Sequence, residues 1–339
     1  MKPARNPAIG CRFAGRLIAV SISAAEDTER LGFPKNQLDR VLEAVLTPLV
    51  SDGARVAYGG RITLPEGMER NYTLEIAGIL GEAYRRLDMA PGQRPFVHFI
   101  AQHRLIKKTT PGEVLSHLRA LAPYGEGWLM DAQGVGFIGA FIGEDMGQPT
   151  FVLKPHPAAS GAGAERETFR NEAELVITKA YLRLSADVCQ AGASFERMRE
   201  AMTVMCDARI VVGGRFTGSA GPMPGLADEA LRSIAHRQPL VVLGGFGGSA
   251  RDIAIALGLL DAGERVPRPV YPDAERYEAG MAALAGERAE FEQTAGAHLP
   301  LLRQLAAEDS VVGATSGLIR YLLDSHQPSP STDVDQRQG

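Results

Sequence analysis

Cysteine is scarce in this 339-residue chain: there are 3, at Cys11, Cys189 and Cys206, an odd number without CxxC spacing. That excludes a disulfide framework and a cysteine-rich zinc site, and it suits a reducing compartment. The 7 histidines contain no HExxH-type pairing, so no metal centre is expected. No segment of the sequence approaches the ~20 apolar residues of a membrane helix. Behind Lys2, Arg5, Arg12 and Arg16 there is no continuous apolar stretch of the kind a secretory signal needs. A basic excess is missing too: 36 Lys+Arg face 40 Asp+Glu, a formal net charge of −4. That balance argues against a dedicated nucleic-acid binder. With 45% hydrophobic and 22% charged residues, the chain falls in the globular class. These absences predict a cytoplasmic protein whose partners include neither membrane nor nucleic acid.

Glycine is abundant, 38 residues, and clusters just after short apolar runs. Residues 17–23 (LIAVSIS) read as a buried strand. In 37–50, Leu38, Val41, Leu42, Val45, Leu46 and Leu49 recur at helical spacing, and the helix stops near Gly53. Residues 55–58 form a second strand that breaks into Gly59-Gly60-Arg61; 72–85 is helical and 95–101 is a third strand. From about 103 to 165 the pattern weakens, with a hairpin predicted from Trp128-Leu129-Met130 into 135–138 and an exposed loop at 155–165. Helices follow over 172–184 and 195–205, then a strand over 208–212 ending in Gly213-Gly214-Arg215. A helix at 224–236 leads to a strand at 239–243, which ends in Gly244-Gly245-Phe246-Gly247-Gly248 before a helix at 251–260.

This alternation predicts an α/β protein: a Rossmann-like doubly wound parallel sheet with a middle insertion and a helical C-terminal extension. The expected organisation is a flexible leader at 1–15 and a Rossmann-like domain at 16–265 with its insertion at about 103–165. A helical extension at 266–324 and a disordered tail at 325–339 complete it.

Ligands of open parallel sheets bind outside the carboxyl ends of the strands, near the point where strand order reverses. Glycine there permits positive φ and close approach to backbone N–H groups. A helix starting just afterwards offers unpaired N–H donors and a partial positive charge that suits phosphate. The three glycine bends are therefore read as converging on one anion cradle, with the guanidinium groups of Arg61 and Arg215 adding bidentate contacts. Ser21 and Ser23, hydroxyls at the end of the first strand, are further candidates. Gly248-Ser249-Ala250 lacks the lysine of a Walker A loop, which argues against a conventional P-loop NTPase. Residues 245–250 fit GxGxxA, but late in the chain and with Asp261 and Glu264 only loosely placed for a ribose, a poor match to a nicotinamide dehydrogenase. No cofactor is expected.

Across Asp207-Ala208-Arg209-Ile210-Val211-Val212-Gly213-Gly214-Arg215, Pro224-Gly225-Leu226-Ala227-Asp228-Glu229-Ala230 and 239–248, the chain resembles the SLOG superfamily. That grouping contains the Smf/DprA DNA-processing proteins, the Lonely Guy phosphoribohydrolases, and sensor domains of antiviral and channel proteins. Residues 18–23 and Ala57-Tyr58-Gly59-Gly60 look like the family's opening β-α-β, so the likeness covers about 16–100 and 190–260. In the nucleotide-sensor branch, a glycine turn with its basic residue holds phosphate and a glutamate on the next helix takes ribose hydroxyls. Gly213, Gly214, Arg215 and Glu229 match that pattern by type, and Gly244 to Gly248 looks closer to this branch. The resemblance implies binding or sensing of a nucleotide-derived small molecule, NAD- or ADP-ribose-like, in a defence or signalling system. It also implies a homo-oligomer whose output lies in the extra helices or in a separate effector protein.

The Lonely Guy branch implies a different chemistry, hydrolysis of a nucleoside monophosphate at its N-glycosidic bond. There Glu229 would stabilise the oxocarbenium-like charge. Met198 falls where that branch has its catalytic arginine, with Arg197 and Arg199 on either side, and Arg199 is the candidate for the role. Ser219 to Gly225 separates the glycine turn from the helix that carries Glu229. A third reading makes the fold a scaffold for assembly through its C-terminal helices.

Overall fold

Strand β1 (Leu17–Ser23) is buried over its first six residues, as an uninterrupted apolar run requires when helices cover both faces of a sheet. Its side chains alternate between two cores: Ile18, Val20 and Ile22 join the larger cluster, Leu17 and Ala19 the smaller. The computed structural model describes residues 11–64, 70–89, 93–130, 136–145, 148–155, 167–169, 191–218, 221, 223–267 and 272–325. The predicted loop, from 156 onward, the predicted helix at 172–184 and the tail beyond 325 lie outside them.

Helix α1 (Gln37–Ser51) buries the stripe read from its spacing and carries Pro48 in its last turns. β2 (Arg55–Gly59) follows, then α2 (Tyr72–Arg86), whose first turn is capped by the Asn71 side chain accepting from Thr73 N at 3.0 Å. β3 (Phe96–Ile100) leads into α3 (Gln102–Lys107) and α4 (Pro111–Leu121), the latter opened by a Thr110–Glu113 capping box. β4 (Gly125–Met130) pairs in parallel with β3, so the parallel sheet continues to residue 130. Its glycines and the shortness of α3 explain why the sequence pattern fades there. β5 (Gly136–Asp145), β6 (Gln148–Pro155) and β7 (Glu167–Phe169) then run antiparallel, and β4 and β5 form the predicted hairpin with Leu129 opposite Phe137.

The chain returns through α5 (Ala191–Met205), β8 (Ala208–Gly213), α6 (Gly225–Ala235) and β9 (Leu240–Leu243). A single 3-10 turn at Gly244–Phe246 enters α7 (Gly248–Ala256). The strand order is β7-β6-β5-β4-β3-β2-β1-β8-β9, and the six strands from β4 to β9 in that order are parallel. The fold is a Rossmann-like doubly wound sheet, with strand order reversing between β1 and β8.

Helices α8 (Ala274–Gly286), α9 (Arg288–Ala295), α10 (Leu299–Ala307) and α11 (Val311–Asp324) form the C-terminal extension. Leu302, Leu305, Leu318 and Leu322 are buried in the same cluster as Val241 and Leu243 of β9, so the extension closes that edge of the sheet. Among the described residues no helix is long and apolar enough to cross a membrane.

His98 of β3 is fully buried, stacks on Phe96, and lies 2.8 Å (Nδ1 to Nε2) from His117 of α4. Burial holds both imidazoles neutral, pushing His117 down to about 4 and His98 well below the usual histidine value. The unfolded chain binds protons that the folded chain refuses, so this pair's contribution is intact above about pH 6.5 and is lost as pH falls toward 4. His117 alone then accounts for a loss of about 3 kcal/mol across that window. Urea unfolding followed from neutral pH downward should show this slope, and His117→Gln should reduce it to the share that buried His98 keeps.

Candidate functional site

The carboxyl ends of β1, β2 and β8 open into a crevice of about 550 Å³ at the strand-order reversal. Two of the three glycine bends meet there. Gly59, Gly60 and Arg61 form one wall, Arg215 stands on another, and Ser21, Ser23 and Glu229 line the space between. The backbone explains the glycines. A Cβ on Gly60 would lie 2.2 Å from Thr73 Oγ1, where α2 comes close to the bend. Gly214 has φ +103°, and its Cβ would lie 2.0 Å from Ser249 Oγ. Gly214 N donates to Ser23 O at 2.9 Å and Arg215 N to Ser23 Oγ at 3.1 Å. The bend after β8 is thereby stitched to the end of β1. Gly213 and Gly214 shape the turn and do not themselves line the crevice.

The third bend corrects the expectation of three converging turns. Gly244, Gly245, Phe246, Gly247 and Gly248 are all buried, and none lines the crevice. A Cβ on Gly245 would lie 2.1 Å from Glu308 O, just beyond α10, so this glycine lets the C-terminal helices dock. Gly248 N donates to the buried carboxylate of Asp27 at 2.7 Å, which occupies a donor that a phosphate would otherwise use. Phe246 packs against Phe33 with ring centroids 5.9 Å apart.

Glu229, in the first turns of α6, is the only carboxylate among the described residues lining the crevice, and it is tightly held. Its Oε2 accepts from Ser21 Oγ and, at 3.0 Å, from Arg209 Nη1; Arg199 Nε lies 3.4 Å from Oε1. A carboxylate has roughly four acceptor positions, so Oε1 keeps capacity for a ligand hydroxyl. Arg209, the second residue of β8, is fully buried and also donates to Ser21, Ser233 and Thr203 at 2.8, 2.8 and 2.9 Å. Sequence reasoning passed over Arg209 as a functional residue, although a cation inside an apolar strand is itself a signal that a buried acid must answer it.

A switch-point crevice, glycine bends after β2 and β8, and a glutamate at the start of α6 define the site. A family model described as SLOG cluster 2 matches residues 12–120 and 176–294, most of the chain. The chain belongs to the SLOG superfamily. Membership supports a nucleotide-sensing role in general terms. The two matched segments flank 121–175, which contains the antiparallel strands β5 to β7. Curated proteins yield no match.

In this SLOG chain, α5 turns Arg199 toward the crevice, where its Nη1 donates to Asp228 Oδ2 at 3.0 Å beside Glu229. Met198 is instead buried against Gly59, and Arg197 is exposed. Of the three neighbours, Arg199 is thus the one that reaches the glutamate.

Several lining residues had no motif to mark them. Arg104 comes from α3, Arg70 precedes α2, and Tyr58, Tyr72 and Phe195 supply aromatic surface. Arg70 is paired with Asp39 at 2.8 Å. Burial and the neighbouring Arg215 lower the Arg61 pKa, while burial, then Arg61 and Arg199, bring Arg104 down to about 10. Burial and nearby Glu229 push the Tyr58 phenol up, keeping it neutral. Mutual repulsion among guanidinium groups in one crevice creates a site that an anion would relieve. Among the described residues no group of three or more His, Cys, Asp or Glu side chains is placed to hold a metal.

Proposed function

We propose that the switch-point crevice binds a nucleotide-derived small molecule of NAD- or ADP-ribose type, and that the protein is a sensor of it. The observation carrying this reading is the joining of Arg61, Arg215 and Glu229 in one crevice, cations for phosphate beside a carboxylate acceptor for ribose hydroxyls. Backbone bends hold the cations, and the Arg209–Ser21 network holds the acid. In this reading Ser21, Ser23 and the bends at Gly59-Gly60 and Gly213-Gly214 frame the ligand. Output in a signalling or defence setting would pass through self-association or a separate effector protein.

Titration calorimetry with ADP-ribose, NAD and AMP is the test. At least one should bind, with affinity falling as salt rises from about 50 to about 300 mM, because charge supplies part of the attraction. Silence from all three with folded protein would overturn the proposal.

A second reading is favoured by one observation, the approach of Arg199 to Glu229. This is N-glycosidase action on a nucleoside 5'-monophosphate, with Glu229 stabilising positive charge at the anomeric carbon. Release of free base from a monophosphate, abolished in Glu229→Ala, would establish it. Intact nucleotide after prolonged incubation would dismiss it.

A further inference from the structure

Arg104 reaches the crevice from an unexpected side. It belongs to α3, which follows β3, whereas Arg215 follows β8. In the sheet β3 and β8 are three places apart, so their ends are separated by about 14 Å at the usual strand spacing. Arg61, which follows the intervening β2, feels the charge of Arg215 on one side and acts on Arg104 on the other. Arg104 in turn neighbours Arg199, which touches Glu229. The cations thus run in an arc from Arg215 through Arg61 and Arg104 to Arg199.

The members of the arc differ in what already occupies them. Arg199 is committed to Asp228 at 3.0 Å and to Glu229 at 3.4 Å. Glu229 is already balanced by buried Arg209 at 3.0 Å. Among the described residues, no carboxylate lies within ion-pair distance of Arg104 or Arg215. Arg104 is nonetheless held in place, its guanidinium lying over the Phe195 ring at 4.9 Å from the centroid. A cation fixed on an aromatic face, inside a crevice and without an acid, is a preformed anion contact. One phosphate at Arg215 and Arg61 would leave it uncompensated.

We propose that Arg104 forms a second anion subsite, distinct from the one at Arg61 and Arg215, and that the crevice therefore selects a ligand with two linked phosphate groups over a monophosphate. This rests on the nucleotide reading above and deepens it. The phosphate attached to the ribose that reaches Glu229 sits between Arg215 and Arg61, where the single phosphate of AMP would also sit, and the second phosphate lies between Arg61 and Arg104. Phe195 positions the Arg104 guanidinium; its ring face is covered by Arg104, so base stacking falls to other surfaces.

The experiment titrates AMP, ADP and ADP-ribose into wild-type protein, Arg104→Gln and Arg104→Lys, with circular dichroism to establish folding of each. In the wild type, ADP and ADP-ribose should bind at least about tenfold tighter than AMP, one charge-assisted contact's worth of affinity. Arg104→Gln should erase most of that preference while changing AMP binding less than about threefold, and Arg104→Lys should restore part of it. Equal wild-type affinity for AMP and ADP-ribose would overturn the subsite and leave the nucleotide reading standing. So would an equal loss for all three ligands in Arg104→Gln. If none of the three binds folded wild-type protein, the nucleotide reading itself falls and the subsite with it.

Discussion

Arg209→Met is expected to lower the stability of the protein by about 3–5 kcal/mol, the usual consequence of removing one partner of a buried ion pair. The guanidinium is fully buried and donates to Ser233, Ser21, Glu229 and Thr203. Burial alone disfavours its charge, and Glu229 opposes that effect, so each ion keeps the other in place. Methionine fills much of the volume, but leaves the carboxylate of Glu229 with Ser21 and the more distant Arg199 as its polar contacts. That residual support puts the expected loss toward the lower end of the range. Arg209→Lys should recover little, because an ammonium cannot reproduce a planar fork reaching four partners. In a double-mutant cycle with Glu229→Gln, the combined loss should fall short of the sum of the singles, since both act on one network. Urea unfolding gives these values; a loss below about 1 kcal/mol for Arg209→Met would mean that the pair contributes little.

Arg215→Glu should weaken nucleotide binding by about 100-fold or more without weakening the fold. The lost charge-assisted contact accounts for about 1.5–3 kcal/mol, or roughly ten- to 150-fold, and the new carboxylate adds repulsion. Arg215 is exposed and its backbone N–H, which the substitution keeps, makes the bond to Ser23. Its charge also disfavours Arg61, so removing it relieves a strain in the free protein. Stability should therefore change by no more than about 0.5 kcal/mol, the scale of ordinary surface substitutions. Calorimetry should show the weakened binding together with a flatter dependence on salt. Undiminished affinity in Arg215→Glu would remove the phosphate contact at Arg215 from the site.

The parallel sheet was legible because its signals are local: LIAVSIS and the IVV of β8 are short strand-forming runs, and the helical stripe of 37–50 repeats at 3.6 residues. The bend residues were legible for the same reason, since a glycine pair after a strand marks a special backbone. The purpose of each pair was not. Gly59-Gly60 and Gly213-Gly214 look like Gly244-Gly245 in sequence, yet the first pair lines the crevice, the second shapes the turn that brings Arg215 to it, and Gly245 meets Glu308 O. What differs is the neighbour, and that neighbour is 63 residues away from Gly245 in the chain. Arg104 and Phe195 escaped notice on the same grounds, because neither stands in a motif and their stacking joins α3 to α5.

Composition, periodicity and the placing of glycines were enough to determine an α/β sheet, its helical cover, and glycine bends at the ends of its strands. Those properties depend on neighbours within a turn or a strand. Which bends share one space, which acid answers Arg209, and which of Arg197, Met198 and Arg199 faces Glu229 depended on strand order and helix rotation. These follow from how distant segments bury one another, and only the packed chain decides them.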